Sequence, residues 1–202
     1  MTGRQWRAYD LAMYEFPNSA QKIKTLALEL VKSLRSETNN THKQKEWSER
    51  NFRLLREFSA DHDAASFPSI DVKTKTRNKQ FLWDFVGYVK KRGILIAAES
   101  EWNKKPSEIE HDFEKLLYVR SPLKLMLCRM KTEEDAELIR KGLEHVAKTA
   151  CTEFSSGEVF IIYCVWWTEN EGKNRDRAYM LQIAGEPNHQ PIGSKRFLPV
   201  SA

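Results

Sequence analysis

From residue 20 to 35 the run AQKIKTLALELVKSLR spaces Ile23, Leu26, Leu28, Leu30, Val31 and Leu34 at helical intervals, and 45-KEWSERNFRLLREF-58 repeats the pattern with Trp47, Leu54, Leu55 and Phe58. Two helices are therefore predicted to open the chain, joined by the polar, Asn-rich stretch 36-SETNNTHKQ-44. The period then changes. After 59-SADHDAASFPSIDVKT-74, which offers turn residues and a short strand near Ile70 to Val72, the segments 81-FLWDFVGYV-89 and 94-ILIAAESEW-102 are apolar and β-rich on either side of KKRG, the pattern of a β-hairpin. Ser107 with Glu110 has capping-box spacing ahead of a helix striped by Ile109, Phe113, Leu116 and Leu117, with Pro122 as its stop. A strand 123-LKLMLCRM-130 follows. A second box, Thr132 to Asp135, opens a helix with Ile139, Leu143, Val146, Ala147 and Ala150 on one face. The run 158-EVFIIYCVWW-167 has the apolar character of a central strand, and 178-AYMLQIA-184 is predicted to pair with it across the charged loop TENEGKNRDR. The tail from Gly185 carries turn chemistry and little pattern. This order predicts an α/β (α+β) fold, a central mixed β-sheet flanked by helices, with an N-terminal helical segment over about residues 1–60.

A length of 202 residues without a shift in composition predicts a single domain over 1–202, and 41% hydrophobic with 30% charged residues predicts a soluble, cytoplasmic protein with no membrane segment. Cys128, Cys151 and Cys164 form no CxxC pair and are expected as reduced core residues. His42, His62, His111, His145 and His189 lack metal-ligand spacing, no phosphate-cradling glycine motif occurs, and Trp102, Trp166 and Trp167 are assigned to the core in preference to base stacking. The net charge of +5 suits a nucleic-acid partner without demanding one. Lys73, Lys75, Arg77 and Lys79, with Lys90, Lys91 and Arg92 and the run 173-KNRDR-177, would form a phosphate-facing rim if their loops share a face, and are solvated turns otherwise.

The chemistry concentrates in the hairpin. Strand alternation puts Glu99 and Glu101 on one face with Leu95 and Ala97, while Ser100 and Trp102 face the other side. If Val89 pairs with Ile94, Asp84 stands directly opposite Glu99, and three carboxylates crowd one patch at a cost that a hard divalent cation offsets. If the hairpin slips, the acids separate and Glu101 is a solvated strand end.

An acid in one strand, a short hairpin, and a Glu-x-Glu in the next strand followed by a helix resembles the PD-(D/E)xK nuclease superfamily of restriction-endonuclease-like fold. The match covers roughly residues 45–130. Asp84 stands where that motif has its first acid, Glu99 where it has the second, and Glu101 where most members carry lysine; the proline of the motif is absent. The resemblance implies a DNA-hydrolysing enzyme with Mg²⁺, or Mn²⁺ in its place, held by Asp84, Glu99 and Glu101, and it leaves room for a homodimer. Some members supply the lysine from the following helix, where this chain has Lys115, on the flank of the apolar stripe. Lys115 either reaches past the helix–sheet seam to the acids or faces water paired with Asp112. Glu49 or Glu57 would be an additional acid from the preceding helix. The missing motif lysine also admits a nuclease-like fold without activity that binds nucleic acid or a protein.

Overall fold

The computed structural model describes residues 17, 19–36, 44–67, 83–102, 105–149, 157–168, 173–182 and 197–200. Helices α1 (Ala20–Ser36) and α2 (Gln44–Asp61) open the chain, as their stripes predict, and bury Leu30, Leu34, Leu55 and Phe58. Leu28 departs from its stripe: it turns outward and is exposed. The chain continues through β1 (Ala65–Phe67), β2 (Phe85–Val89), β3 (Gly93–Glu101), α3 (Pro106–Leu117), β4 (Leu123–Arg129), α4 (Glu133–Thr149), β5 (Val159–Thr168), β6 (Lys173–Gln182) and β7 (Leu198–Pro199). This is an α/β protein with one seven-stranded mixed sheet, and its strands lie side by side in chain order from β1 to β7. Strands β3, β4 and β5 are parallel, and every other neighbouring pair is antiparallel.

Two cores sandwich the sheet. On one face α1 and α2 pack on Phe85, Ile96, Leu125, Ile161 and Tyr163. On the other, α3 and α4 pack on Ala97, Met126, Phe160 and Ile162. Each parallel step is a β–α–β crossover, and two successive crossovers of one hand place both helices on the same face. The C-terminal end of β3 therefore opens directly into α3, and side chains from strand and helix meet there.

The caps divide. At α4 the Asp135 N–H donates to Thr132 Oγ1 over 3.3 Å, the expected N-cap bond, while the Asp135 side chain accepts the N–H of Lys131 over 3.3 Å, one residue before the cap that a reciprocal box would use. At α3 the expected Ser107–Glu110 box is not formed: Pro106 is already within the helix and Lys105 flanks it without a side-chain cap. The proline ring fixes φ for the first turn, so the helix starts one residue before Ser107 can cap it. The helix also stops at Leu117, ahead of Pro122. Two short strands, β1 and β7, carry too few residues to show a period, and β6 begins at Lys173, inside the charged stretch expected as a loop, because Lys173 to Arg177 pair with Cys164 to Thr168 of β5. The short strand expected near Ile70 to Val72 lies outside the described residues.

The hairpin corrects itself. Val89 pairs with Gly93 across a turn in which Lys91 has φ 66°, one residue tighter than the expected Val89–Ile94 pairing, and Tyr88 faces Ile94. The register then shifts, Gly87 faces Ile96, and Leu95 is the extra residue of a β-bulge. Leu95 and Ile96 both enter the α1/α2 core, so Leu95 does not share the face of Ala97, Glu99 and Glu101 as alternation alone predicts. Beyond the bulge Val86 faces Ala97 and Phe85 faces Ala98, which restores the alignment that carries Asp84 towards Glu99.

Gly87 is required by the approach of α2. A Cβ there would lie 2.5 Å from Ser59 Oγ and 2.8 Å from Ile96 Cγ2. Gly87→Ala is expected to cost about 1–3 kcal/mol by overpacking, read as a lower urea midpoint. Adding Ser59→Ala should return part of the loss, and a Gly87→Ala protein as stable as wild type would mean that α2 shifts freely.

Candidate active site

Four elements meet at the C-terminal end of β3. Trp83, just ahead of β2, donates its indole N–H to the Lys115 carbonyl oxygen of α3 over 3.2 Å. This bond anchors the start of β2 against the third turn of the helix. Asp84 follows, exposed and outside the strand proper, where its position among large apolar neighbours had predicted a buried strand residue. Its Oδ2 accepts the Ser100 backbone N–H over 3.0 Å, which holds the carboxylate at the edge of β3. Glu99 is 1% exposed, pointing into the seam between β3 and α3.

Lys115 settles the choice left open by the sequence by doing both things. Its Nζ lies 2.7 Å from Asp112 Oδ1 on its own helix and 3.0 Å from Glu99 Oε1 across the seam. The stem crosses the seam while the head keeps a quarter of its surface in solvent. The ammonium is the counter-charge of this buried oxygen, which among the described residues no backbone or other side-chain donor reaches.

The electrostatics follow from depth. Burial pushes the Glu99 carboxyl up to about 8; Lys115 pulls it back, and the neighbouring Asp84 and Asp112 charges raise it further. Burial alone would lower the Lys115 ammonium, but Asp112 and then Glu99 more than offset this and raise it. The two shifts fit together because Lys115 is held first by Asp112 at the rim, whereas Glu99 carries the full desolvation. Lys115 is thus a firmly charged ammonium beside a carboxyl that burial pushes towards its neutral form.

Glu101 is half-buried and aligned with Cys128 of β4. Burial raises the Cys128 thiol first, then the neighbouring Cys164, with the Glu101 and Asp112 charges adding to the shift, so Glu101 and Asp112 face the same patch. Cys128 and Cys164 are buried free thiols, as expected, and Cys151 lies outside the described residues.

The crowd of three acids is looser than expected. Among the described residues no three of His, Cys, Asp and Glu converge into a ready-made cation site. Lys115 supplies the positive charge beside Glu99, which is buried, while Glu101, two residues on, is only partly buried. The donor set nevertheless fits Mg²⁺: the ion needs only one or two carboxylates with waters completing its shell, and Glu99 offers a buried oxygen that, among the described residues, no donor besides Lys115 reaches.

The basic rim is only in part where the sequence put it. Lys90, Lys91 and Arg92 are exposed in the β2–β3 turn, at the N-terminal end of β3. Glu99 is seven residue steps along the chain from Arg92, about 23 Å at the rise of a strand, so this turn does not border the acids. In the run from Lys173, Asp176 pairs with Arg35 at 2.9 Å and Arg177 pairs with Glu133, so charges expected in a free loop are tied to neighbouring helices. Lys73, Lys75, Arg77 and Lys79 lie outside the described residues. Glu57 is held by Arg53 at 3.0 Å on the exposed side of α2, and Glu49 is exposed; the charges that bear on Glu99 come instead from Lys115, Asp84 and Asp112. Trp166 is buried, and Trp102 is partly buried against the α1/α2 core, edge-on to Trp47 with ring centroids 5.2 Å apart.

One site residue escapes the sequence reading: Trp83 shows no spacing that marks it, whereas Asp112 is the partner that its three-residue offset from Lys115 offers. A search against protein-family models, curated proteins and solved structures gives no match.

Proposed function

We propose that this chain is a metal-dependent nuclease that hydrolyses DNA phosphodiester bonds, with its site formed by Asp84, Glu99, Glu101 and Lys115 on a restriction-endonuclease-like fold. The observation that carries the reading is the Lys115 ammonium brought from α3 onto Glu99 at the C-terminal end of β3, with the Asp84 carboxylate fixed beside it. A lysine arriving from the helix fills the role that Glu101 leaves vacant in the strand. The element order supports the fold: an antiparallel hairpin that carries the acids, then a crossover helix with the lysine, then a parallel strand.

A Mg²⁺ or Mn²⁺ ion at Asp84 and Glu99 would supply a Lewis acid for the phosphoryl oxygen and an activated water. The remaining work belongs to the side chains. Asp84, held by the Ser100 N–H, presents its carboxylate in a fixed orientation, and Glu99 presents one buried oxygen. Lys115 places a permanent positive charge where negative charge builds on the phosphate, and Glu101 completes the acidic edge as ligand or base. Nucleic acid would be gripped by Lys73, Lys75, Arg77 and Lys79, while Lys90, Lys91 and Arg92 would meet it only far from the cut.

A second reading, an inactive module that binds nucleic acid or a protein, is favoured by the engagement of Lys115 with two carboxylates, where no three acids converge among the described residues. Cleavage of supercoiled plasmid in Mg²⁺ and in Mn²⁺ separates the two. The nuclease reading expects nicking or linearisation that Asp84→Ala lowers at least about 10²-fold, the scale for losing a group that positions or exchanges a proton, with an unchanged circular dichroism spectrum. A wild-type protein inert on single-stranded, duplex and plasmid DNA with either metal would leave the inactive module.

A further inference from the structure

Asp112 is absent from the nuclease motif, yet it holds Lys115 more closely than Glu99 does. Its Oδ1 lies 2.7 Å from Lys115 Nζ, closer than Glu99 Oε1 at 3.0 Å, and both partners are on one helix, three residues apart. The two carboxylates holding this ammonium differ in kind. Glu99 is enclosed between strand and helix, whereas the Asp112 side chain keeps 17% of its surface in solvent and Lys115 keeps 25%. Lys115 can therefore leave Glu99 and remain paired at Asp112 without a change of backbone, since the i, i+3 spacing belongs to the helix itself.

A divalent ion arriving at Glu99 meets a site whose positive charge is already present. Two cations cannot share one buried carboxylate oxygen without strong repulsion. Displacing Lys115 into solvent, or leaving it half-buried without a partner, would be charged against the ion's affinity. Asp112 provides a partner for the displaced ammonium a short rotation away, still beside the reacting centre.

We infer that Asp112 is a positioning residue, the resting place to which Lys115 transfers when a divalent cation takes Glu99, so that the lysine is exchanged out of the metal position yet kept within reach of the phosphate. The inference rests on the proposed metal-dependent site. Lys115 bridges Glu99 and Asp112 across the seam. In the loaded state the Lys115–Asp112 pair alone remains, and the ammonium is oriented towards whatever anion lies over the metal.

Calorimetric titration with Mn²⁺ in the absence of DNA tests this. Asp112→Asn should weaken Mn²⁺ binding about tenfold, the scale on which partners that orient a metal site act, because Lys115 is left with Glu99 as its one carboxylate. Lys115→Met, which removes the competing charge, should bind Mn²⁺ at least as tightly as wild type. In the double variant Asp112→Asn should then have no further effect. That dependence on Lys115 is what a merely structural or long-range electrostatic role for Asp112 would not produce, and circular dichroism on each variant confirms the fold. Equal affinity of Asp112→Asn and wild type overturns the inference, as does the same loss with and without Lys115. Failure of the wild type to bind Mn²⁺ overturns both the inference and the metal-dependent reading. If the binding pattern appears and no DNA is cut, the inference stands and the nuclease reading falls.

Discussion

Glu99→Gln should abolish metal-dependent DNA cleavage, by about 10³-fold within the 10²–10⁴ range of a lost proton-transfer or charge-positioning group, while changing the pH dependence of stability in a direction that can be stated beforehand. The amide keeps the size and shape of the carboxyl, so the seam between β3 and α3 stays filled, and Lys115 retains Asp112. Its folded-state carboxyl titrates near 8 against an ordinary value of 4.5, raised first by burial. Between these values the folded protein holds a proton that the unfolded chain has released, so the stability of the wild type falls as pH rises from about 4.5 to about 8. At 1.36 kcal/mol per pH unit the contribution is on the order of 4 kcal/mol. Urea denaturation at pH 5, 6.5 and 8 should show this decline in the wild type and its loss in Glu99→Gln. Wild-type cleavage by the variant would remove Glu99 from the chemistry, and parallel pH profiles would mean that water reaches its carboxyl.

The second large effect lies at the other end of the parallel strands. Lys124, 1% exposed, extends its ammonium to 2.7 Å from Glu158 Oε2 and 4.5 Å from the centre of the Phe160 ring. Burial lowers the Lys124 ammonium, and Glu158 opposes the shift. Removing one partner takes away the counter-charge that the pair holds at 2.7 Å in a buried setting. Lys124→Ala and Glu158→Ala are each expected to cost about 3–5 kcal/mol, whereas Lys124→Met combined with Glu158→Leu should recover most of the loss, because packed apolar groups escape the desolvation cost of two ions. Urea unfolding of the four proteins measures it. Single variants that cost under about 1 kcal/mol would match the surface class of ion pair instead.

The sequence made these two sites unequally visible. Glu99 stood out because an acid at the end of ILIAA has no packing reason to be there, and its partner Asp84 followed from counting back through the hairpin. That count reached the right alignment from the wrong turn: Lys91 in the left-handed region tightens the loop by one residue, and the bulge at Leu95 returns it. A backbone irregularity of this kind leaves no mark in a pattern of apolar positions. Lys115 was identified, but its destination was not, since a lysine on the flank of a stripe can snorkel towards either side of the seam. Lys124 passed unnoticed within LKLMLCRM because its partner is 34 residues away, at the start of the next parallel strand. The four helices were legible from their stripes, which are long and each bury against a sheet face, although the ends of α2 and α3 fall a few residues from where the sequence put them. Short strands were not, because three residues of β1 and two of β7 carry no period. The turn Lys90 to Arg92 shows the limit of charge runs: basic residues close in sequence to an acidic cluster can lie a full strand length from it.

The sequential strand order sets which backbones are left open to a neighbour. Among the described residues β3, β4 and β5, the apolar parallel strands, lie inside the sheet with a neighbour on each side, and the strand order ends on β1 and β7, the two shortest strands. β7 covers only Tyr179 and Met180 of β6, and the rest of β6 begins with the charged run Lys173 to Arg177, a composition that disfavours templating a further chain. VFIIYCVWW, which by composition could nucleate a stacked fibril, is thus fenced on both flanks by the architecture itself, so self-templated polymerisation of the folded molecule would first require a middle strand to be pulled out of the sheet.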